Sequence, residues 1–154
     1  MNRLARTGAW VLALGANGVA CATPPALPLA MTGPEWHLDS IIATDGIIHA
    51  GDSPSPATVR FLFDLERNDR GMVDGSGACN RYNGQYRALG GQGLTISVLQ
   101  RTLVACSDAR GELEFAFLSR LQAVDSYALE ADALLLGTTT GDQLRFHSPS
   151  APSP

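Results

Sequence analysis

From residue 58 the chain reads TVRFLFDLE, and Val59, Phe61, Phe63 and Leu65 alternate with Arg60, Leu62, Asp64 and Glu66. A period of two marks a strand with one buried face. EWHLDSII (35–42) reads the same way, with Trp36, Leu38 and Ser40 on one face. Between these strands, TDGIIHAGDSPSP supplies turn chemistry through Asp45-Gly46 and its Ser-Pro repeats. Short strands follow around Met72 and Val73 and over LTIS (94–97). Tyr82, Gln85 and Tyr86, flanked by Arg81 and Arg87, have strand composition. Local rules alone make Asn83-Gly84 a type I′ hairpin tip. The alternative keeps one continuous strand with Gly84 as a bulge, and LGGQG becomes the turn.

SDARGELEFAFLSRLQAV breaks this pattern. Leu113, Phe117, Leu121 and Val124 recur at helical spacing. Ser107 or Asp108 can cap the helix, and Glu112 and Glu114 lie near its positive end. SYALE, ALLLG and QLRFH then supply two or three closing strands. Strands, one helix and more strands, without alternating βα units, predict an antiparallel α+β domain.

The ends of the chain differ from its middle. MNRLARTGAWVLALGANGVACA has the layout of an export signal over residues 1–22, with Arg3 and Arg6 before an apolar stretch. Ala20-Cys21-Ala22 offers cleavage that releases a soluble protein starting at Thr23. Gly18-Val19-Ala20-Cys21 offers instead a lipobox that leaves Cys21 lipidated. Both routes place the protein outside the cytoplasm, either periplasmic or as a membrane-anchored lipoprotein. TPPALPLAMTGP (23–34) reads as an extended Pro-rich spacer and residues 148–154 as a disordered tail, leaving a domain over 35–147.

Charge narrows the function classes. The net charge is −4, and all eleven basic residues are arginine. Without the N-terminal segment, nine arginines face fifteen acids, a net −6. Such a surface repels nucleic-acid phosphates and anionic lipid, so membrane contact is expected only through the N-terminal anchor.

Cysteine use fits export. Lipidation or cleavage accounts for Cys21, and Cys79 and Cys106 remain. In an oxidising compartment that pair is most simply a disulfide; the alternative is two buried free thiols. No CxxC exists, and His37, His49 and His147 show no ligand spacing, so no metal or cofactor is expected. Catalysis is not expected either. GSGACNRYNGQYR (75–87) puts Ser76 in the wrong frame for a nucleophile elbow, and its glycines incompletely match a dinucleotide fingerprint.

GSGACNRYNGQY, then LQRTLVAC, then ELEFAFLSRLQAV resembles the META domain family of HslJ-like bacterial envelope proteins. Cys79-Asn80 matches the family's C-N pair, with Ala78 where a glycine is usual, which moves the tight turn to Gly77. Gly84 and Tyr86 match G-x-Y, Thr102 with Ala105-Cys106 matches T-x-x-A-C, and Glu114 with Phe117-Leu118 matches the helix motif. The resemblance implies a curved antiparallel sheet, an incomplete barrel, with one main packed helix. It implies no catalytic set, and a loose link to stress. An envelope partner protein or an apolar ligand is expected in the curve of the sheet, with Asn80 and Tyr82 the residues to test. On this view GSGACNRYNGQYR is a fold signature with a disulfide anchor.

Export has a direct consequence. Mass spectrometry of protein purified from a bacterial envelope is expected to give a chain starting at Thr23 or a lipid adduct on Cys21. A chain retaining Met1 contradicts export.

Overall fold

The computed structural model describes residues 25–50 and 55–148, apart from the side chains of residues 98 and 99. The segment expected to direct export, with Cys21, and the expected tail beyond Ser148 lie outside these residues. Nine strands and one helix follow in the order β1 (Glu35–Ala43), β2 (Gly46–His49), β3 (Thr58–Phe63), β4 (Arg70–Ser76), β5 (Arg81–Gly90), β6 (Gly93–Arg101), α1 (Ala109–Leu121), β7 (Val124–Leu129), β8 (Ala133–Thr138) and β9 (Gln143–His147).

The expected incomplete barrel is in fact closed. Neighbouring strands pair antiparallel from β1 through β3 and on to β9, and β9 pairs back onto β1, so eight strands form a ring. Closure works because β1 serves two neighbours on one side at different heights. Its first residues (Glu35–His37) pair with β3, and Ser40–Ala43 pair with β2. Its other side pairs with β9 from His37 to Ile42, with a bulge between Leu38 and Ser40. A bulge bends and twists a strand, which is what joining the two ends of a curved sheet requires. The narrowest seam is β6–β7, where the registered pair is Gly93 with Ser126 and the Tyr127 N–H also donates to the Gln92 carbonyl at 2.9 Å.

Two readings of the pattern change. The Asp45-Gly46 turn is a hairpin tip, and β2 follows it inside a stretch expected to be loop. The buried face of β3 ends at Phe61; Phe63 is 40% exposed and Leu65, beyond the strand, is 90% exposed. The continuous-strand alternative for β5 is the one adopted. Tyr82, Gly84, Tyr86 and Ala88 point inward in strict alternation, and Gly90-Gly91 turn the chain with φ of +91° and +57°.

Residues 25–34 are more than a spacer. Leu27 and Met31 are buried, Thr32 bridges Phe61, and the Trp36 indole N–H donates to the Met31 carbonyl at 3.1 Å. The helix fills the interior from one side. Phe117 lies edge-on to Tyr82 of β5 and to Phe146 of β9, with ring centroids 5.9 and 6.2 Å away. Those strands stand opposite each other in the ring, so one helical side chain spans it. Asp108 caps α1, and Arg120 in its last turn binds Asp142 of the β8–β9 turn at 2.9 Å.

The interior of β4 and β5 is built by size complementarity. Gly71 faces Tyr86, Val73 faces Gly84, and Gly75 faces Tyr82 in register. A Cβ on Gly75 would stand 2.0 Å from the Thr58 carbonyl oxygen and 2.9 Å from the Tyr82 hydroxyl. Gly75→Ala is therefore expected to cost about 1–3 kcal/mol or more, read as a lower midpoint in urea unfolding. An unchanged midpoint contradicts the packing described.

Candidate functional site

The β4–β5 turn, the segment after β6 and the helix come together at Asn80. Every hydrogen-bonding site on its carboxamide is used. Nδ2 donates to Glu114 Oε1 (2.9 Å) and the Val104 carbonyl (3.1 Å), and Oδ1 accepts from Thr102 Oγ1 (2.9 Å) and the Val104 N–H (2.7 Å). The Asn80 backbone N–H donates to Glu114 Oε2 at 2.5 Å, and its carbonyl accepts from the Gly77 N–H at 2.7 Å. Glu114 is buried on the inward face of α1, with Arg101 Nη1 3.4 Å from its Oε1. A buried carboxylate is tolerable only when paired and hydrogen-bonded, and this one is. Cys79 and Cys106 form a disulfide across the same junction, 27 residues apart in sequence.

Sequence motifs thus converge on one lock. Thr102 Oγ1 also accepts the Arg81 N–H at 3.1 Å. Gly77 leaves room for the carboxylate, since a Cβ there would meet Glu114 Cγ at 2.9 Å. The tight turn does not move to Gly77. Ala78 itself adopts φ +85°, in the left-handed region that favours glycine. An L-residue is strained there and persists only when its surroundings over-determine it. The lock on either side does so.

Tyr82 belongs to the packed interior. Its hydroxyl donates to the Thr58 carbonyl at 2.7 Å, and burial pushes its ionisation well above the ordinary phenol range. Gly84 is buried between the two tyrosines. Tyr86 repeats the geometry of Tyr82 four residues on, opposite Gly71 instead of Gly75. A Cβ on Gly71 would meet the Leu62 carbonyl oxygen and the Tyr86 hydroxyl at 2.3 and 2.8 Å. Yet the Tyr86 hydroxyl is buried without a hydrogen-bond partner. Burial raises its ionisation too, so it remains a proton donor at neutral pH.

Tyr86 lines an open groove of about 700 Å³ formed by the β3–β4 connection and the neighbouring faces of β4, β5 and β6. Its apolar wall comprises Leu62, Phe63, Leu65 and Met72, exposed by 37, 40, 90 and 42%. Arg67, Arg70 and Arg87 stand around it with Asp64 and Glu66. Asp69 binds both Arg70 (3.0 Å) and Arg87 (3.5 Å), and the hydrogen bond from Arg70 holds its carboxyl below the usual carboxylate range. The groove is not where the curve of the sheet was expected to offer one. That inner surface is filled by Phe61, Phe117 and Phe146.

Of the residues picked from sequence, Cys79, Cys106 and Asn80 meet in the lock, Tyr82 and Gly84 pack inside, and Tyr86 alone reaches the groove. Glu114 as the partner of Asn80 was not read from the chain, although its place in the helix motif marked it. Among the described residues, no group of three His, Cys, Asp or Glu side chains is placed to hold a metal ion. No helix among them is long and apolar enough to cross a membrane.

Residues 29–151 match the family model described as META domain. No curated protein matches the chain. Among solved structures, it is similar to a protein from Burkholderia xenovorans determined by NMR, with 23% identity, a TM-score of 0.63, and coverage of 98% of this chain and 100% of that one. It is also similar to a DUF4847 family protein from Bacteroides vulgatus, with 14% identity, a TM-score of 0.58, and coverage of 79% and 96%. At these identities the likeness is one of fold.

The lock generates opposite expectations for adjacent positions. Asn80→Ala is expected to destabilise by on the order of 3 kcal/mol, because several buried groups lose their partners. Ala78→Gly relieves the left-handed strain and gains up to about 1 kcal/mol. Denaturant unfolding of both variants checks the pair, and the same sign for both contradicts it.

Proposed function

The chain belongs to the META domain family, and we propose that it acts as a non-enzymatic binding module of the bacterial envelope. Its binding surface is the groove beside β3 and β4, and its occupant is an apolar ligand or the apolar segment of a partner protein. The observation that carries this reading is the cluster of Leu62, Phe63, Leu65 and Met72, exposed together around a concave surface. Contiguous apolar exposure on a small protein marks an interaction site more often than chance scatter. Both domain cysteines are joined in one disulfide, so neither supplies the thiolate that a cysteine-dependent enzyme needs. That bond also fits an oxidising, extracytoplasmic compartment. The stress-related role implied by the family resemblance is part of this proposal.

A second reading, a structural stress protein without a discrete ligand, is favoured by one observation. Asn80, Cys79, Thr102, Cys106 and Glu114, which carry much of the motif, are engaged in the lock rather than lining the groove.

Nile red, a neutral apolar dye, separates the two. The binding reading expects saturable fluorescence enhancement with the wild-type chain. Met72→Glu, on a side chain already 42% exposed, is expected to weaken it about tenfold or more while the protein stays folded. No enhancement, or equal enhancement by the variant, favours the structural reading.

A further inference from the structure

The groove has a chemical polarity beyond its apolar wall. Tyr82 and Tyr86 occupy equivalent places, each across a glycine of β4 and each beside a β3 carbonyl, Thr58 for one and Leu62 for the other. Tyr82 makes its bond and Tyr86 makes none, although Tyr86 is only 2% exposed. Buried hydroxyls almost always have a partner, so a donor left over beside a cavity points to an acceptor that arrives with a ligand. Charge around it is sorted in the same sense. Residues 58–101 hold six arginines against four acids, whereas the remaining described residues hold three arginines against ten acids. Among the described residues, no hydrogen bond or ion pair holds the Arg67 side chain at the groove. At the groove itself Arg67, Arg70 and Arg87 stand with Asp64 and Glu66, and Asp69 pairs with Arg70 and Arg87, which leaves Arg67 as the cation to meet an anion.

Resting on the reading of this groove as a ligand site, we infer that it takes a single-chain amphiphile with a carboxylate head. The chain lies on Leu62, Phe63 and Met72, an oxygen of the head accepts from the Tyr86 hydroxyl, and Arg67 neutralises the charge. Phe63 ends β3 in register with Gly71, the glycine that Tyr86 faces from β5. A volume of about 700 Å³ lies within the range of small-molecule sites and suits one acyl chain.

The test is calorimetric titration of the full chain with dodecanoate and with dodecyltrimethylammonium, each below micelle formation. The two share a chain and differ in head. An acidic protein without a specific site prefers the cation. Dodecanoate is expected to bind more tightly, and Tyr86→Phe, which keeps the ring, to weaken it about five- to tenfold. Arg67→Gln is expected to weaken dodecanoate similarly, and Tyr82→Phe to leave it unchanged in folded protein. If both probes bind alike and Tyr86→Phe changes neither, the carboxylate inference fails and the apolar-groove reading stands. If neither probe binds, both fail.

Discussion

One buried carboxylate meeting one buried carboxamide ties together three parts of this chain that are distant in sequence. Glu114 comes from the helix, Asn80 from the β4–β5 turn, and the carboxamide passes the connection on to Thr102 and Val104. Each partner makes the other tolerable. Alone, the carboxylate would be an uncompensated buried charge, and the turn would present unsatisfied backbone groups. Together they hold the helix where Phe117 can reach both Tyr82 and Phe146. They also hold Ala78 in a conformation that a free turn would abandon.

From that junction the barrel closes by alternating size. Glycines on β4 make room for tyrosines on β5, and Val73 fills the space at Gly84. The bulged β1 carries the sheet around to β9. The ring joins the two ends of the sheet, and among the described residues Phe61, Phe117 and Phe146 fill its inner surface. The groove lies beside β3 and β4, at the end of β3 where that packing stops. There the same tyrosine–glycine scheme is repeated with its final hydrogen bond unmade.

The strand pattern was legible wherever one face was buried. Val59 and Phe61 and the helical spacing of Leu113, Phe117 and Leu121 appear in the structure as read, whereas Val124, counted with that helix, begins β7, and β5 is the continuous strand offered beside the local hairpin. Closure was not legible, because it depends on β1 pairing with three strands, and periodicity carries no information about partners. The continuation of the β3 pattern into Phe63 and Leu65 misled for a related reason: period two says which residues share a face, not where the covering layer stops. At the lock, Asn80 and the cysteines stood out as motif residues. The role of Glu114 did not, since a glutamate in the first turns of a helix reads equally well as a dipole partner. Leu62 was a missed signal, an apolar residue on the face shared with Arg60 and Asp64.

The lock holds the residues that carried the family resemblance, and the groove proposed for binding lies apart from it. Native-state amide hydrogen exchange tests that division most directly. The N–H groups of Asn80 and Val104 both donate into the lock. They are expected to exchange only through global unfolding, with the same free energy as core amides of β8 and β9. Exchange of Asn80 and Val104 through a much easier local opening would contradict the account. It would mean that the motif segment is free to move, and would return it to consideration as a binding site.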